Sequence, residues 1–371
     1  MKTKFQINAE RLTEIFLETI KIDSLSGNEK PLANYICAFL SSYKDININE
    51  DNSYKYSNSN TGNLIIKVGN GGKVVMLSHM DTARPTKGVQ PIVNTEKITS
   101  DGNTVLGVDN RVGVSVLLYT LEKHLSNGGG KNFTVAFTTC EETTLLGSKN
   151  IELDKKITKG FIFDSAFRPG SFINNACGAM SFEVEINGKA SHSGISPEKG
   201  INSIKIASDA ISNLQTGRID DETTINFGKI VGGSAVNVVP EKTVIIGEVR
   251  SFDLDKIKTE LEKIKKSFEK AANNFGGSII FKSSWDFHPY QLNEFSDVYK
   301  TVVAVLTKAG LQPDAKISLG GSDANSLNGN GIPSVNLGIG AQNPHANDEF
   351  VLIEDLIKAA EIAHNLVEME G

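Results

Sequence analysis

The sequence has few cysteines, no long apolar run and no basic tract. Its three cysteines, Cys37, Cys140 and Cys177, are widely spaced and odd in number, and they form neither a C-x-x-C motif nor a disulfide framework. This usage is typical of a reducing compartment. No run approaches the roughly 20 apolar residues that a membrane span needs, and the N-terminus has no stretch resembling a signal peptide. We therefore expect a cytoplasmic protein without a membrane partner.

The charge balance argues against a nucleic-acid partner. The 371 residues include 38 Lys and Arg against 44 Asp and Glu, which gives a net charge of −6. A mildly acidic chain of this kind is a poor candidate for binding phosphate backbones or anionic membranes. With 39 % hydrophobic and 22 % charged residues, the composition is that of an ordinary globular protein and excludes disordered, collagen-like and coiled-coil classes. At roughly 150 residues per domain, the length predicts about two domains.

Short apolar runs alternate with helical periodicity through most of the chain. Two amphipathic helices open it, the first behind Asn8 as a possible cap, and segment 51–61, rich in Ser and Asn, is predicted as a loop. Strands are predicted at 64–68, 74–77, 133–137 and 161–163, and helices at 112–125, 145–150 and 352–368. Alternation of this kind predicts an α/β domain whose mostly parallel sheet is sandwiched by helices.

The middle of the chain changes character. Its predicted elements are a strand at 181–186, a helix at 201–214, strands at 225–230 and 244–249, a charged helix at 255–274 and a strand at 278–282. The order β-α-β-β-α-β is that of a ferredoxin-like unit. We therefore predict an α/β domain (1–175 and 287–371) interrupted by an inserted ferredoxin-like α+β domain (176–286).

His79 and Asp81 follow one of the predicted buried strands. In open α/β sheets, functional groups gather at the carboxyl ends of the strands. A His-x-Asp sequence at such an end supplies an imidazole ligand and a carboxylate that can fix its tautomer. The competing interpretation is a turn histidine with a capping aspartate, and this fragment alone does not decide between them.

Further acidic residues stand at comparable places. Asp109 leads into a helix, Glu141 and Glu142 follow the strand at 133–137, and Asp164 ends the strand at 161–163. Each could be a surface charge or a helix cap, and capping competes strongly for Asp109. Together, however, these carboxylates would repel one another unless a cation neutralised them. With His79 and a second histidine, His345, in a late loop, they form the N/O ligand set expected for zinc or a similar divalent ion.

At this point the sequence resembles a known family, the dinuclear zinc exopeptidases that include peptidase T, aminoacylase, acetylornithine deacetylase and succinyl-diaminopimelate desuccinylase. The resemblance covers nearly the whole chain, and the sequence is most similar to the peptidase T-like branch. The residues that carry it are Ser78-His79-Met80-Asp81-Thr82, Gly107-Val108-Asp109, Glu141-Glu142, Asp164, the stretch from Ala190-Ser191-His192-Ser193-Gly194 to Gly200-Ile201-Asn202, and His345.

The resemblance implies a role for each matching residue. His79 and Asp164 would bind one metal ion, Glu142 and His345 would bind the other, and Asp109 would bridge the two. Glu141 would be the general base, and Asp81 would orient His79. The inserted domain would act as a lid and dimerisation domain whose substrate contacts include His192, Asn237 and Arg250. The resemblance also implies a homodimer, since the lid histidine in such enzymes often reaches the partner subunit's active site.

The chemistry implied is hydrolysis of short peptides, with release of the N-terminal residue of tripeptides. Two metal ions sharing a water would lower its pKa, and Glu141 could take its proton and later pass it to the departing amine. Zinc is the expected metal, although cobalt and manganese also suit N/O sites. The alternative reaction is deacylation of an N-acyl amino acid, which uses the same attack on an amide carbonyl.

Two substrate contacts have ordinary structural alternatives. Arg250 offers a planar fork suited to a substrate carboxylate, but an ion pair on a strand of the inserted domain would explain an isolated arginine equally well. The backbone N–H groups of Gly320, Gly321 and Ser322 could hold a substrate carboxylate or carbonyl, or the segment could be a tight turn.

Two other functional classes remain open at this stage. The segment around Ser322 is one residue from a G-x-S-x-G nucleophile elbow, with His345 downstream, so a metal-free serine hydrolase is a rival hypothesis. The segment lacks the final glycine of that motif, and the serine-hydrolase hypothesis leaves His79 and the acidic residues unexplained. A third hypothesis is a non-catalytic binding protein with the same fold. The presence of every proposed ligand and of Glu141 argues against it.

Overall fold

The computed structural model describes residues 6–371, so the first five residues of the N-terminal stretch examined above lie outside it. The helices are α1 (Ala9–Ile20), α2 (Lys30–Leu40), α3 (Tyr54–Ser57), α4 (Val108–Ser126), α5 (Leu146–Lys149), α6 (Ser203–Ser212), α7 (Leu254–Phe275), α8 (Asp297–Lys308), α9 (Asp323–Gly329) and α10 (Ile353–Glu370). Within the described residues, no helix combines the length and the hydropathy needed to cross a membrane.

The strands form three sheets. They are β1 (Ile46–Glu50), β2 (Leu64–Val68), β3 (Val74–His79), β4 (Pro91–Val93), β5 (Lys97–Ser100), β6 (Phe133–Thr138), β7 (Lys159–Ser165), β8 (Ser171–Ala176), β9 (Gly178–Asn187), β10 (Gly217–Asp220), β11 (Thr223–Gly232), β12 (Lys242–Ser251), β13 (Ser278–Phe287), β14 (Tyr290–Gln291), β15 (Asp314–Ser318), β16 (Ser334–Gly338) and β17 (Phe350–Leu352).

The described chain divides into two compact units. The first, which we call the major unit, runs to Asn175 and continues through Gln291–Ser318 and Ser322–Gly371. The second, the inserted unit, comprises Ala176–Tyr290 and the short segment Leu319–Gly321.

The major unit is built on the predicted α/β sheet. Its nine-stranded sheet has the order β1-β2-β6-β3-β7-β16-β8-β14, with β15 paired to β8. The four central strands β6, β3, β7 and β16 are parallel, as predicted, whereas β1, β2 and β8 pair in antiparallel fashion at the edges. Every residue of β3 and β6 is buried, so both faces of these strands are covered. This burial explains why the central strands appear in the sequence as continuous apolar runs.

One local prediction is confirmed and one needs correction. The Asn8 side chain accepts a hydrogen bond from the Arg11 N–H and caps α1. Segment 51–61 is not a loop throughout, because it contains α3. The Asp51 carboxylate, which accepts the N–H groups of Ser53 and Asn63, anchors this polar segment. The three-stranded sheet β17-β5-β4 was not predicted; its strands β4 and β5 are neighbours in the chain, but β17 comes from a distant segment.

The inserted unit has the predicted ferredoxin-like arrangement with one extra strand. Its antiparallel sheet has the order β10-β11-β12-β9-β13, and helices α6 and α7 pack on each other beside it. Strand β9 alternates buried and half-buried residues, so one face of the sheet supplies the core. That core includes Phe182, Ile245 and Phe268. The additional strand β10 pairs with β11 at the sheet edge.

Candidate metal centre

His79 is the last residue of the central strand β3 and is buried, with its two ring nitrogens facing different partners. Nε2 lies 2.9 Å from Oδ1 of Asp109 and 3.1 Å from Oδ1 of Asp164. Nδ1 lies 3.1 Å from the backbone oxygen of Asp81 and 3.4 Å from its Oδ1. Asp164 is near the end of β7, which is parallel to β3, so the carboxyl ends of adjacent strands meet here as the sequence predicts.

Asp109 lies at the start of α4 but does not cap that helix. The cap position is Gly107, and the side chains that accept N–H groups at the start of the helix are those of Glu349, at Val108, and Asn110, at Gly113. Asp109 itself has a non-helical backbone (φ −95°, ψ 100°), and the peptide bond to Asn110 is cis. Its Oδ1 faces His79, while its Oδ2 lies 3.4 Å from Nε2 of His345. The capping interpretation of Asp109 is therefore wrong, since the carboxylate faces two histidines from different parts of the chain.

Glu142 and His345 form the second part of the cluster. Oε1 of Glu142 lies 2.9 Å from Nε2 of His345, and His79 is not a member of this second group. The His345 side chain is nearly half exposed, and its backbone is left-handed with φ 68°. His345 thus lies in a late loop, as predicted, and the conformation of this loop directs the ring at the carboxylates of Asp109 and Glu142.

The structure brings these residues together in two groups that could each hold a metal ion. One group is His79, Asp109 and Asp164, and the other is Asp109, Glu142 and His345; within each, the ligand atoms lie within 4.8 Å of one another. Asp109 belongs to both. Imidazole nitrogens and carboxylate oxygens are the donors that zinc and similar divalent ions take. The donor chemistry therefore fits a pair of ions that share one carboxylate.

An orphaned oxygen and the histidine pKa values agree with this fit. Oε1 of Glu142 is buried and has no hydrogen-bond partner among the described residues, although Nε2 of His345 lies 2.9 Å away as an ion-pair contact. The carboxylates of Asp109 and Glu142 raise the pKa of His345 to about 10, against the opposing effect of burial. Burial would lower the pKa of His79, but the carboxylates of Asp109 and Asp164 hold it well above its ordinary value. The carboxylates thus favour positive charge at both imidazoles.

Glu141 lies beside this cluster with its carboxyl group enclosed. Burial raises the pKa of Glu141 well above its ordinary value. The positive charge of His79 opposes this shift, whereas three neighbouring carboxylates add to it, those of Asp164, Asp323 and Glu142. A raised pKa makes a carboxylate a stronger proton acceptor, which suits a group that first takes and then returns a proton.

Asp81 has more partners than the sequence analysis expected. Besides facing His79, its Oδ1 accepts the N–H of Glu141 at 3.0 Å and its Oδ2 accepts the N–H of Glu142 at 3.1 Å. Oδ2 also accepts the Ser26 hydroxyl at 2.7 Å. Burial would raise the pKa of Asp81, but these bonds and that of His79 keep it below its ordinary value. One buried carboxylate thus fixes both an imidazole and the backbone of the two glutamates.

Asp323 is a buried carboxyl group near the cluster that the sequence analysis did not single out. Its Oδ2 accepts the Thr138 hydroxyl at 2.5 Å, and its Oδ1 has no hydrogen-bond partner in the part of the chain that the structure describes. Burial raises its pKa to about 6. Asp323 opens α9, where an aspartate normally complements the helix dipole. No feature of the sequence separates this position from such an ordinary one.

In the inserted unit, the structure brings together His192 and Asn237. Nδ1 of His192 accepts the N–H groups of Gly194 and Ile195, each at 3.2 Å. In a neutral imidazole the proton must then be on Nε2, which leaves that nitrogen as a donor. The backbone oxygen of Asn237 accepts the N–H of Ser193 at 3.0 Å, and both His192 and Asn237 are exposed. Two loops carry these side chains at the surface of the unit.

Arg250, on β12, has the partners of the structural alternative. Its Nε and Nη2 donate to the two carboxylate oxygens of Glu248, each at 3.0 Å, and its Nη1 donates to the Leu319 carbonyl at 3.1 Å. The planar fork is thus occupied by a carboxylate of the same strand. A substrate carboxylate would have to exchange with Glu248 to bind there.

The segment Gly320-Gly321-Ser322 has the features of a tight turn. A Cβ on Gly321 would come within 2.5 Å of the Phe287 ring, so this position requires glycine. Ser322 caps α9, is only 5 % exposed, and donates its backbone N–H to Oδ1 of Asn325. That N–H is therefore not free for an anion. Since His345 faces Asp109 and Glu142, the structure also gives no support to Ser322 as a nucleophile activated by that histidine.

Comparisons with known proteins place these residues in context. The family model described as the M20 peptidase dimerisation domain matches residues 174–276. The protein YqjE of Bacillus subtilis is 34 % identical to this chain, over 98 % of this chain and 99 % of the relative. A tripeptidase structure from Staphylococcus aureus has a TM-score of 0.89 and 31 % identity, covering 98 % of this chain and 99 % of the other. The aminopeptidase PepT structure from Bacillus cereus has a TM-score of 0.84 and 30 % identity, covering 98 % of both chains.

Proposed function

The chain belongs to the M20 family of metal-dependent peptidases, and from this premise we propose that it is an aminopeptidase that releases the N-terminal residue of tripeptides. The resemblance inferred from the sequence is thereby confirmed. The observation that carries the proposal is the position of Asp109, whose two carboxylate oxygens face His79 and His345 separately.

We propose that two divalent metal ions, zinc in the native protein, bind at the two groups that share Asp109. His79 and Asp164 would hold one ion, and Glu142 and His345 would hold the other. When bound, such a pair supplies Lewis acidity that polarises the scissile carbonyl and lowers the pKa of the attacking water.

The remaining steps fall to this chain's own side chains. Glu141 takes the proton of the attacking water, holds it in its buried site, and gives it to the departing amine. Asp81 keeps the two glutamates and His79 in place through the bonds described above. We propose that His192 donates its Nε2–H to the developing oxyanion, a role supported by the two backbone N–H groups that occupy its Nδ1.

We propose that Asn237, Arg250 and the backbone of Gly320 and Gly321 contact the peptide. The Ser322 N–H would take no part, because it is bonded to Asn325. For Arg250 this means that a peptide carboxylate replaces the Glu248 carboxylate at the guanidinium, whose planar fork binds two carboxylate oxygens.

We further propose that the chain has two domains with different roles. Residues 1–175 and 287–371 form the catalytic domain, and residues 176–286 form a lid through which the chain makes a homodimer. The match of residues 174–276 to a peptidase dimerisation domain supports this proposal. Light scattering of the purified protein tests it, since a monomer at micromolar concentration would contradict the dimer.

A substrate panel tests the proposed reaction. The protein, loaded with zinc, cobalt or manganese, is incubated with tripeptides, dipeptides and N-acetyl amino acids, and the products are identified. We expect release of the N-terminal residue from tripeptides. Deacylation of the N-acetyl amino acids without cleavage of tripeptides would instead support the alternative reaction, which uses the same site.

A further inference from the structure

His345 has an unusual backbone for a residue that presents a ligand. Its φ of 68° lies in the left-handed region, as does that of Asn343 at 53°. Residues with a Cβ adopt this region only when their surroundings hold them there. The loop therefore needs partners that fix the backbone of His345, and the structure supplies one on each side of the residue.

Glu349 fixes the backbone N–H group of His345. It is only 2 % exposed, and its Oε1 accepts the His345 N–H at 2.7 Å. Its Oε2 accepts the N–H of Gly107 at 2.6 Å and lies 3.4 Å from that of Val108. These two residues directly precede Asp109. One buried carboxylate thus joins the backbone that carries His345 to the backbone that carries the shared aspartate, across 242 residues of sequence.

Arg84 holds the carbonyl side. Its Nη1 donates to the His345 backbone oxygen at 3.0 Å. The Arg84 backbone is itself fixed, because its carbonyl accepts the Thr82 hydroxyl at 2.9 Å and Pro85 follows it. Thr82 is buried and directly follows Asp81, so the tether runs back to the strand end that carries His79.

We propose that Glu349 and Arg84 are positioning residues for the second metal ion, the one assigned to Asp109, Glu142 and His345. The inference rests on the proposed metal centre, and neither residue is a ligand in it. Both oxygens of Glu349 accept N–H groups from different segments, so only a carboxylate can satisfy both. Removing either tether frees His345 to leave the left-handed conformation and turns its ring away from Asp109 and Glu142. The tethers contact neither His79 nor Asp164, and only the second ion would use His345, so binding of the second ion should be weakened more than binding of the first.

Metal titration of the metal-free protein tests this. Glu349→Gln keeps the size of the side chain but replaces one carboxylate oxygen by an NH2 group. This group cannot accept the N–H of His345 or Gly107 that it then faces. Zinc is titrated into wild type and variant by calorimetry. We expect about 10–100-fold weaker affinity for the second ion, the usual loss when a residue that orients a ligand is changed. The first ion should lose less affinity, because Glu349 reaches its ligands only through the backbone before Asp109. Circular dichroism and the melting temperature in chelator report folding independently.

Two further variants complete the design. Glu354→Gln makes the same chemical change at an exposed glutamate of α10 and should leave both affinities at wild-type values. Arg84→Gln changes an exposed residue, so this variant should fold even if Glu349→Gln does not. We expect Arg84→Gln to lower the affinity for the second ion by about tenfold, the lower end of the range expected for Glu349→Gln.

The outcomes separate this inference from the proposed function. Wild-type affinity for both ions in Glu349→Gln and Arg84→Gln would overturn the positioning role while leaving the metal centre intact. Equal weakening of both ions, or the same weakening in Glu354→Gln, would also overturn it, since the effect would be general. If wild type itself binds no metal, the proposed metal centre fails first.

Discussion

The substitution Asp81→Asn tests how the site is held together. The two oxygens of Asp81 accept the N–H groups of Glu141 and Glu142, and Ser26 and His79 also contact them. An asparagine has one acceptor oxygen, so its NH2 group must face at least one of the buried N–H donors. The variant therefore loses a bond to a charged group and leaves a buried donor unpaired.

The magnitude follows from these contacts. An unsatisfied buried group costs about 1–3 kcal/mol, and a hydrogen bond to a charged group contributes about 1.5–3 kcal/mol. Part of the loss should lower the free energy of unfolding, by about 1–3 kcal/mol. The rest should lower kcat with saturating metal by about 10–100-fold, while KM changes little because Asp81 does not contact the peptide.

Urea unfolding of the metal-free protein and steady-state hydrolysis of a tripeptide measure the two effects. Asp255→Asn is the matched control, since the Asp255 side chain is 91 % exposed, and it should behave as wild type. If Asp81→Asn kept both kcat and the free energy of unfolding within error of wild type, the positioning role of Asp81 would be refuted.

Four more outcomes follow from the account. Glu141→Gln should bind metal nearly as wild type but lose about 10²–10⁴-fold in kcat, and unchanged turnover would remove Glu141 as the base. His192→Ala should lower turnover by about 10²–10³-fold without loss of metal, as for a lost oxyanion donor, so activity equal to wild type would end that role. Gly321→Ala should lower the free energy of unfolding by about 1–3 kcal/mol, because the added Cβ meets the Phe287 ring. Denaturant titration measures this loss. Gly310→Ala is the comparison, since Gly310 has open surroundings but a positive φ, so it reports backbone strain without crowding. Chelation should abolish hydrolysis and added zinc should restore it, and hydrolysis that survives exhaustive chelation would speak against a metal-dependent reaction.

The ligand cluster could be anticipated from the sequence because it depends on a general property of parallel sheets. His79 and Asp164 end neighbouring buried strands, and the apolar runs that precede them are visible in the sequence. Chain connectivity then places their side chains at the same sheet edge. The two helix patterns around the sheet and the ferredoxin-like order of the inserted unit follow from the same local periodicity.

Contacts between distant segments could not be anticipated in this way. The bond between Glu349 and the Gly107 N–H spans 242 residues, and the bonds of Asp81 to the two glutamates span about 60. Nothing local distinguishes Glu349 from an ordinary loop glutamate. The pairing of Arg250 with Glu248 is local, but a strand brings residues i and i+2 to the same face whether or not they also contact a substrate.

The missed sheet β17-β5-β4 has a similar cause. Its strands have only three or four residues each, too few to display a clear alternation. Their stability comes from pairing: Phe350 lies opposite Thr99, and Lys97 also places its ammonium group 4.8 Å from the Phe350 ring centroid. Such pairing depends on the tertiary fold, so it is absent from any local pattern.

The central claim is that this chain holds two divalent ions through a shared aspartate, and metal stoichiometry tests it most directly. Zinc-loaded protein is dialysed and its zinc content is measured by elemental analysis, for wild type and for Asp109→Ala. The account predicts about two ions per wild-type chain and the loss of tight binding in the variant. A value near zero in wild type, or two ions retained after Asp109 is removed, would contradict it.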